Sequence, residues 1–234
     1  PVSVEIPIDI QSALTTMPAD LSPLPIERPV PSTASLDALA TRLAAAKRPM
    51  LWVGGGARHA GAAIQRLQKL GFGVVTTTQG RGTVPEDDAG SLGSYNIHKP
   101  VEALYQRCDA MLVVGSRLRG NETLKYELKL PRPLYRIDAD AAAEGRCYAS
   151  EAFVCGDSAL ALEGLADRLE ATGYKADAQL LVDLRAAHDQ AVATLRDGLG
   201  PYAELVRRLQ SVAGRKFNWV RDVTVSNSTW GNRE

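Results

Sequence analysis

The stretch Arg48–Gly61, RPMLWVGGGARHAG, limits the fold more than any other part of the chain. A short apolar strand (Met50, Leu51, Trp52, Val53) runs straight into Gly54, Gly55 and Gly56. A helix-like run from Ala57 to Leu70 follows, with Ile64, Leu67 and Leu70 on one face. That order puts a flexible turn at the C-terminal end of a parallel strand, where main-chain N–H groups and a helix N-terminus can meet the phosphates of a nucleotide. A second strand, VVTTT (74–78), and the loop Gln79-Gly80-Arg81-Gly82 come next, then a third strand, AMLVVGSRL (110–118), and a fourth, LYRIDAD (134–140). Alternating strand-like and helix-like runs predict an α/β fold, a parallel sheet covered by helices on both faces.

The chain divides into five stretches. Residues 1–12 alternate apolar and polar like a strand with no partner nearby in sequence. Residues 13–35 carry Pro18, Pro23, Pro25, Pro29 and Pro31, which deny helix and central strand and predict an extended linker. The body spans 36–172, with helices predicted at Leu36–Ala46 (capped by Ser35), Pro100–Arg107 and Ser158–Ala171. Residues 173–201 hold a further helix, 177–197, striped by Leu180, Leu181, Leu184, Ala187 and Ala191, and a linker. After Gly198-Leu199-Gly200-Pro201, the segment 202–234 starts a new helix (Tyr202–Val212) and a new strand (Asn218–Val225), which reads as the opening of another domain.

Composition narrows the partners. Lys+Arg and Asp+Glu balance at 27 each, so no broad attraction to nucleic acid or to an anionic membrane is expected. The three Trp and seven Tyr do not interleave with basic clusters. No apolar run approaches the ~18 residues of a membrane span. Cys108, Cys147 and Cys155 share no CxxC spacing and cannot all pair, which fits a reduced, cytoplasmic setting.

The candidate binding residues each have a plainer alternative. Gly54, Gly55 and Gly56 suit a phosphate turn, but His59 stands where GxGxxG has its third glycine, and a tight turn that binds nothing reads equally well. Asp138 and Asp140, closing the fourth strand, can take a ribose hydroxyl or act as solvated caps. Asp157 reads first as an N-cap and second as a nucleotide contact. Arg81, flanked by glycines, can pair with a phosphate or carboxylate or lie free on its loop. His59, His98 and His188 lack metal-ligand spacing, and no metal site is predicted.

Taken together, PVSVEIPIDIQ (1–11), RPMLWVGGGARHAG (48–61), VVTTTQGRGTVPEDD (74–88), CDAMLVVGSRL (108–118), YRIDAD (135–140) and VCGD (154–157) resemble the thiamine-diphosphate-dependent enzymes of the acetolactate synthase and 2-oxo acid decarboxylase type. The resemblance implies that 1–12 is the last strand of an N-terminal pyrimidine-binding domain, that 36–172 is the Rossmann-like central domain, and that 202–234 opens a C-terminal diphosphate-binding domain. It implies thiamine diphosphate and Mg2+ in a full-length parent, a small-molecule 2-oxo acid substrate, a homo-oligomer, and decarboxylation or carboligation. The family's catalytic glutamate and its metal-holding GDG motif have no match here, so the 234 residues alone are expected to be inactive.

FAD-carrying relatives follow the third strand with an arginine, phenylalanine and paired-aspartate run. The matching stretch, Gly115-Ser116-Arg117-Leu118-Arg119-Gly120-Asn121, has no such aspartates, which argues against FAD. Ser94-Tyr95-Asn96 replaces the glycine–methionine–histidine–glycine loop of many relatives, so a substrate other than pyruvate is open. By the same resemblance Asn227, Ser228 and Thr229 reach the cofactor diphosphate, and the loops 79–83 and 93–97 sit at the active-site rim. Two other readings stay open: a stand-alone module binding an FAD- or NAD-like nucleotide, and a structural scaffold that binds none.

Overall fold

The structure, a computed structural model, describes residues 3–23 and 27–213. Its strands are β1 (Pro49–Val53), β2 (Gly73–Thr76), β3 (Ala110–Val114), β4 (Leu134–Asp138) and β5 (Ala152–Cys155). They form one parallel sheet in the order β2-β1-β3-β4-β5. Leu51 is flanked by Val74 on one side and Leu112 on the other, and Leu112 in turn by Tyr135. Every residue of β1 and β3 is buried, because a parallel sheet is covered on both faces; PMLWV and AMLVV therefore read as unbroken apolar runs.

The helices are α1 (Thr33–Ala44), α2 (Gly61–Lys69), α3 (Lys99–Tyr105), α4 (Ser158–Ala171), α5 (Gln179–Gly198) and α6 (Tyr202–Ala213). Strand side chains alternate between faces. Leu51, Val53, Leu112, Val114 and Ile137 pack under α1, α2 and α4, while Met50, Trp52, Met111, Val113 and Leu134 pack under α3 and α5. The α/β architecture expected from the alternation is the one that forms. At the N-terminal edge of the sheet, Asp109 accepts from the backbone N–H groups of Lys47 and Arg48 at 2.7 and 2.8 Å. Asp183 on α5 pairs with Arg48 at 2.6 Å and Arg107 at 3.1 Å. This leaves the opposite, C-terminal edge to the loops.

Several expectations need correcting. Residues 3–9 form no strand; Val4, Ile6 and Ile8 are 77%, 55% and 84% exposed, and a lone extended segment has nothing to satisfy its backbone. Helix α1 starts at Thr33, not Leu36, with Ser32 as its cap rather than Ser35. The linker is pinned just upstream, where Asp157 N–H donates to the Pro29 carbonyl at 2.7 Å and Pro31 lies against Gly156, so the helix can begin at once. The helix expected from Ala57 opens instead as a 3-10 turn, Gly55–Ala57, and α2 begins only at Gly61, where a Cβ would stand 2.4 Å from the Thr83 carbonyl oxygen. Strand β5 escapes a sequence reading, since AFVC is a short, half-exposed edge. The strand expected at Asn218–Val225 lies outside the described residues. No described helix is long and apolar enough to cross a membrane.

All three cysteines are free thiols. Burial pushes the Cys108 thiol up to about 12, whereas Cys147 and Cys155 are exposed. At pH 8 a thiol with that pKa is only about one part in ten thousand thiolate. Titration with a chromogenic disulfide should therefore show two fast thiols per chain and a third that reacts only after unfolding.

Candidate functional site

After β1 the chain crosses to β2 on one side and returns past β1 to β3 on the other, so the loops leaving β1 and β3 diverge. The crevice between such strand ends is where open α/β sheets bind ligands. Here the two loops interlock backbone to backbone. Gly54 N–H donates to the Val114 carbonyl at 2.8 Å, and Gly56 N–H to the Gly115 carbonyl at 3.0 Å. A Cβ on Gly54 would stand 2.3 Å from the Gly115 carbonyl oxygen. Gly115 itself has φ +57, and a Cβ there would come 2.6 Å from Gly56. The glycines are thus required for close approach, but the amides of Gly54 and Gly56 are spent on the neighbouring loop rather than held out toward a phosphate.

Above this interlock lies a cleft of about 460 Å³. Gly55, Gly56 and Gly115 form its floor, Thr77, Gln79 and Ser116 add polar side chains, and Arg58, Arg117, Arg119, Glu122 and Asp138 supply charge. Among the described residues, none of the three arginines forms an ion pair; Arg58 Nε donates to the Gly55 carbonyl at 3.2 Å. Three guanidiniums face two carboxylates, so the cleft carries net positive charge. Burial pushes the Glu122 carboxyl above its ordinary value, opposed in part by the main chain and guanidinium of Arg119.

Ser116 organises the cationic wall. Its hydroxyl oxygen accepts from the Trp52 indole N–H at 3.1 Å and from Leu118 N–H at 3.2 Å, which turns the chain so that Arg117 and Arg119 line the cleft. On the far side, Asn96 Nδ2 donates to the Glu122 carbonyl at 2.7 Å, tying the buried loop 94–96 to the cleft turn.

The residues singled out from sequence fare unevenly. Gly55, Gly56 and Asp138 line the cleft, and Gly54 lies beneath it. Arg81 does not join them; its Nε and Nη2 make a bidentate pair with Glu86 at 2.7 and 2.6 Å. Gln79 from the same loop lines the cleft instead, because Gly80 presses against the end of β1, where a Cβ would meet the Val53 carbonyl at 2.3 Å. Asp157 is spent as the N-cap of α4, accepting from Ala159 N–H and Leu160 N–H at 2.9 and 3.2 Å. Asp140 caps the short turn after β4 through Ala142 N–H at 2.9 Å. Asn227, Ser228 and Thr229 lie outside the described residues. Arg58, Arg117 and Arg119 were not singled out, although the run RLRGN after Gly115 held a signal in its arginine density.

The five-stranded parallel sheet, with an interlocked glycine turn beneath a cationic cleft at its switch point, defines an α/β domain of the open, parallel-sheet class. Residues 36–165 match the family model described as "Thiamine pyrophosphate enzyme, central domain", and the chain belongs to that family. It is 33% identical over 198 residues to a Pseudomonas aeruginosa protein described as "Probable 2-ketoarginine decarboxylase AruI", covering 80% of this chain and 35% of that one. Acetolactate synthase 1 of Zea mays is 33% identical over 187 residues, covering 75% and 29%. A solved structure from Mycobacterium smegmatis, described as a thiamin diphosphate-dependent enzyme, superimposes with a TM-score of 0.50 at 27% identity, covering 63% of this chain and 31% of that one. The chain spans about a third of the length of these relatives.

Among the described residues no three His, Cys, Asp or Glu side chains come together to hold the metal ion that the family's thiamine diphosphate implies. What these residues can do is bind an anion and position loops.

Two predictions follow from this geometry. Gly54→Ala should destabilise the fold by roughly 2–4 kcal/mol, whereas Gly82→Ala, with φ +77 but nothing within 4 Å, should cost only about 1 kcal/mol; urea titration distinguishes them. Glu122 has a raised pKa when folded, so its ionised form opposes folding at neutral pH, and that opposition fades as pH falls through its folded pKa. Glu122→Gln should accordingly raise the Tm at pH 7, with the gain gone below about pH 4.

Proposed function

We propose that this chain is the central domain of a thiamine-diphosphate-dependent enzyme acting on a 2-oxo acid, and that its switch-point cleft holds the diphosphate of a nucleotide. Family membership and relatives named as an acetolactate synthase and a 2-ketoarginine decarboxylase support the first part. The second rests on one observation: Arg58, Arg117 and Arg119 converge on a cleft of about 460 Å³ and, among the described residues, form no ion pair there. That volume is within the range of small-molecule sites, and guanidiniums bind diphosphates through forked, charge-assisted hydrogen bonds. Asp138, at the end of β4, lines the cleft, and in this reading its carboxylate accepts from a ribose hydroxyl. The stretch 115–121 lacks the paired aspartates of FAD-carrying relatives, which favours a non-flavin nucleotide.

In this reading residues 1–12 and 202–234 belong to neighbouring domains of a homo-oligomeric parent, with 13–35 and 173–201 connecting them. Thiamine diphosphate and Mg2+ would be held by those neighbours and would supply the decarboxylation or carboligation chemistry. The central domain positions the rim loops, with 93–97 tied to the cleft through Asn96. The isolated chain does not turn over substrate, and adding thiamine diphosphate, Mg2+ and a 2-oxo acid should yield no CO2.

The test is melting of the purified chain with ADP, FAD and NAD. A ligand at about 100 times its Kd adds about 2.7 kcal/mol. ADP should raise the Tm, R117A/R119A should abolish the shift, and R81A should leave it intact because Arg81 is paired with Glu86. No shift with any of the three ligands would favour the scaffold reading instead.

A further inference from the structure

Arg136 is a cation at a position where the strand pattern calls for an apolar residue. It pairs in register with Val113 and shares the sheet face of Trp52, Met111 and Leu134, where it is 1% exposed. Among the described residues no carboxylate forms an ion pair with it, and its Nε has no hydrogen-bond partner. Burial pulls its pKa down, with the nearby Asp138 opposing, yet a guanidinium stays charged. Taking a charge out of water without a counter-ion is costly, and an apolar side chain on that face would avoid the cost.

The guanidinium instead bridges two loops. Nη1 donates to the carbonyls of Ala143 at 2.8 Å and Arg146 at 2.7 Å, and Nη2 donates to the carbonyl of Ser116 at 3.1 Å. Ser116 begins the segment that sends Arg117 and Arg119 into the cleft. The turn 143–146 follows the short helical turn capped by Asp140, two residues beyond Asp138. Arg136 therefore fastens the β3 wall of the cleft to the segment leaving β4, from beneath and without lining the cleft itself.

We propose that Arg136 is a positioning residue for the anion site, holding Ser116 so that Arg117 and Arg119 meet a bound diphosphate in register; this rests on the nucleotide reading above. Lysine keeps the charge, but its single ammonium cannot fork between carbonyls on two loops. Arg136→Lys should weaken ADP on the order of tenfold, the scale of losing an outer tether that orients a binding group.

Calorimetric titration of the 234-residue chain with ADP, at low and high salt and well below each variant's Tm, tests this. R136K and R136M should both weaken binding while keeping the wild-type salt dependence, because neither removes a contact to the anion; R117A should weaken binding and flatten that dependence. Wild-type affinity in R136K, with R117A impaired, would overturn the positioning role and leave the nucleotide reading standing. If the wild-type chain binds neither ADP nor pyrophosphate, both fall together. Should the Arg136 variants fail to fold, the wild-type chain labelled with 15N-arginine decides: Arg136 resonances that move on adding ADP support the role, and unmoved ones overturn it.

Discussion

The close approach of two backbone turns, Gly54–Gly56 after β1 and Gly115 after β3, governs the upper edge of this domain. Two hydrogen bonds, from Gly54 to Val114 and from Gly56 to Gly115, stitch the turns together with no room for a Cβ between them. The parallel pairing of β1 with β3 brings the turns side by side, and the divergence of their crossovers opens space above. Because the floor is rigid main chain, the character of the cleft is set by the side chains that the following residues project over it.

Those side chains are unusual in their balance. Several arginines elsewhere in the fold are matched to carboxylates: Arg48 and Arg107 with Asp183, Arg66 with Glu170, Arg81 with Glu86. Above the interlock Arg58, Arg117 and Arg119 have no ion-pair partner among the described residues, and Arg136 lies buried close beneath. An excess of positive charge at one edge, in a chain whose acids and bases are equal in number overall, raises the local concentration of anions there. Burial of Glu122 works in the same sense, since its ionised form is disfavoured.

The sheet was legible where physics leaves a continuous trace. PMLWV and AMLVV announce strands covered on both faces, and Ser158–Ala171 announces a helix that the structure reproduces residue for residue. Half-exposed AFVC has no such trace, so β5 was missed. Ser32 and Ser35 are chemically equal caps, and only the anchoring of Pro29 and Pro31 on the β5–α4 turn chooses between them. The site was less legible than the sheet. Arg81 and Arg117 look alike in sequence, each a short step from a glycine. What separates them is a carboxylate, Glu86, folded back onto the first, and a serine, Ser116, turning the second into the cleft. Arg136 could not be told from an exposed strand arginine until its three carbonyl partners, drawn from two other loops, were in place.

The most direct measurement is backbone amide hydrogen exchange of the 234-residue chain with and without saturating ADP. A cleft that holds a diphosphate over the interlock predicts slowed exchange at residues 54–58 and 115–119, with the Arg81–Glu86 loop unchanged. Exchange unaltered in both segments, or protection confined to residues 81–86, would contradict it.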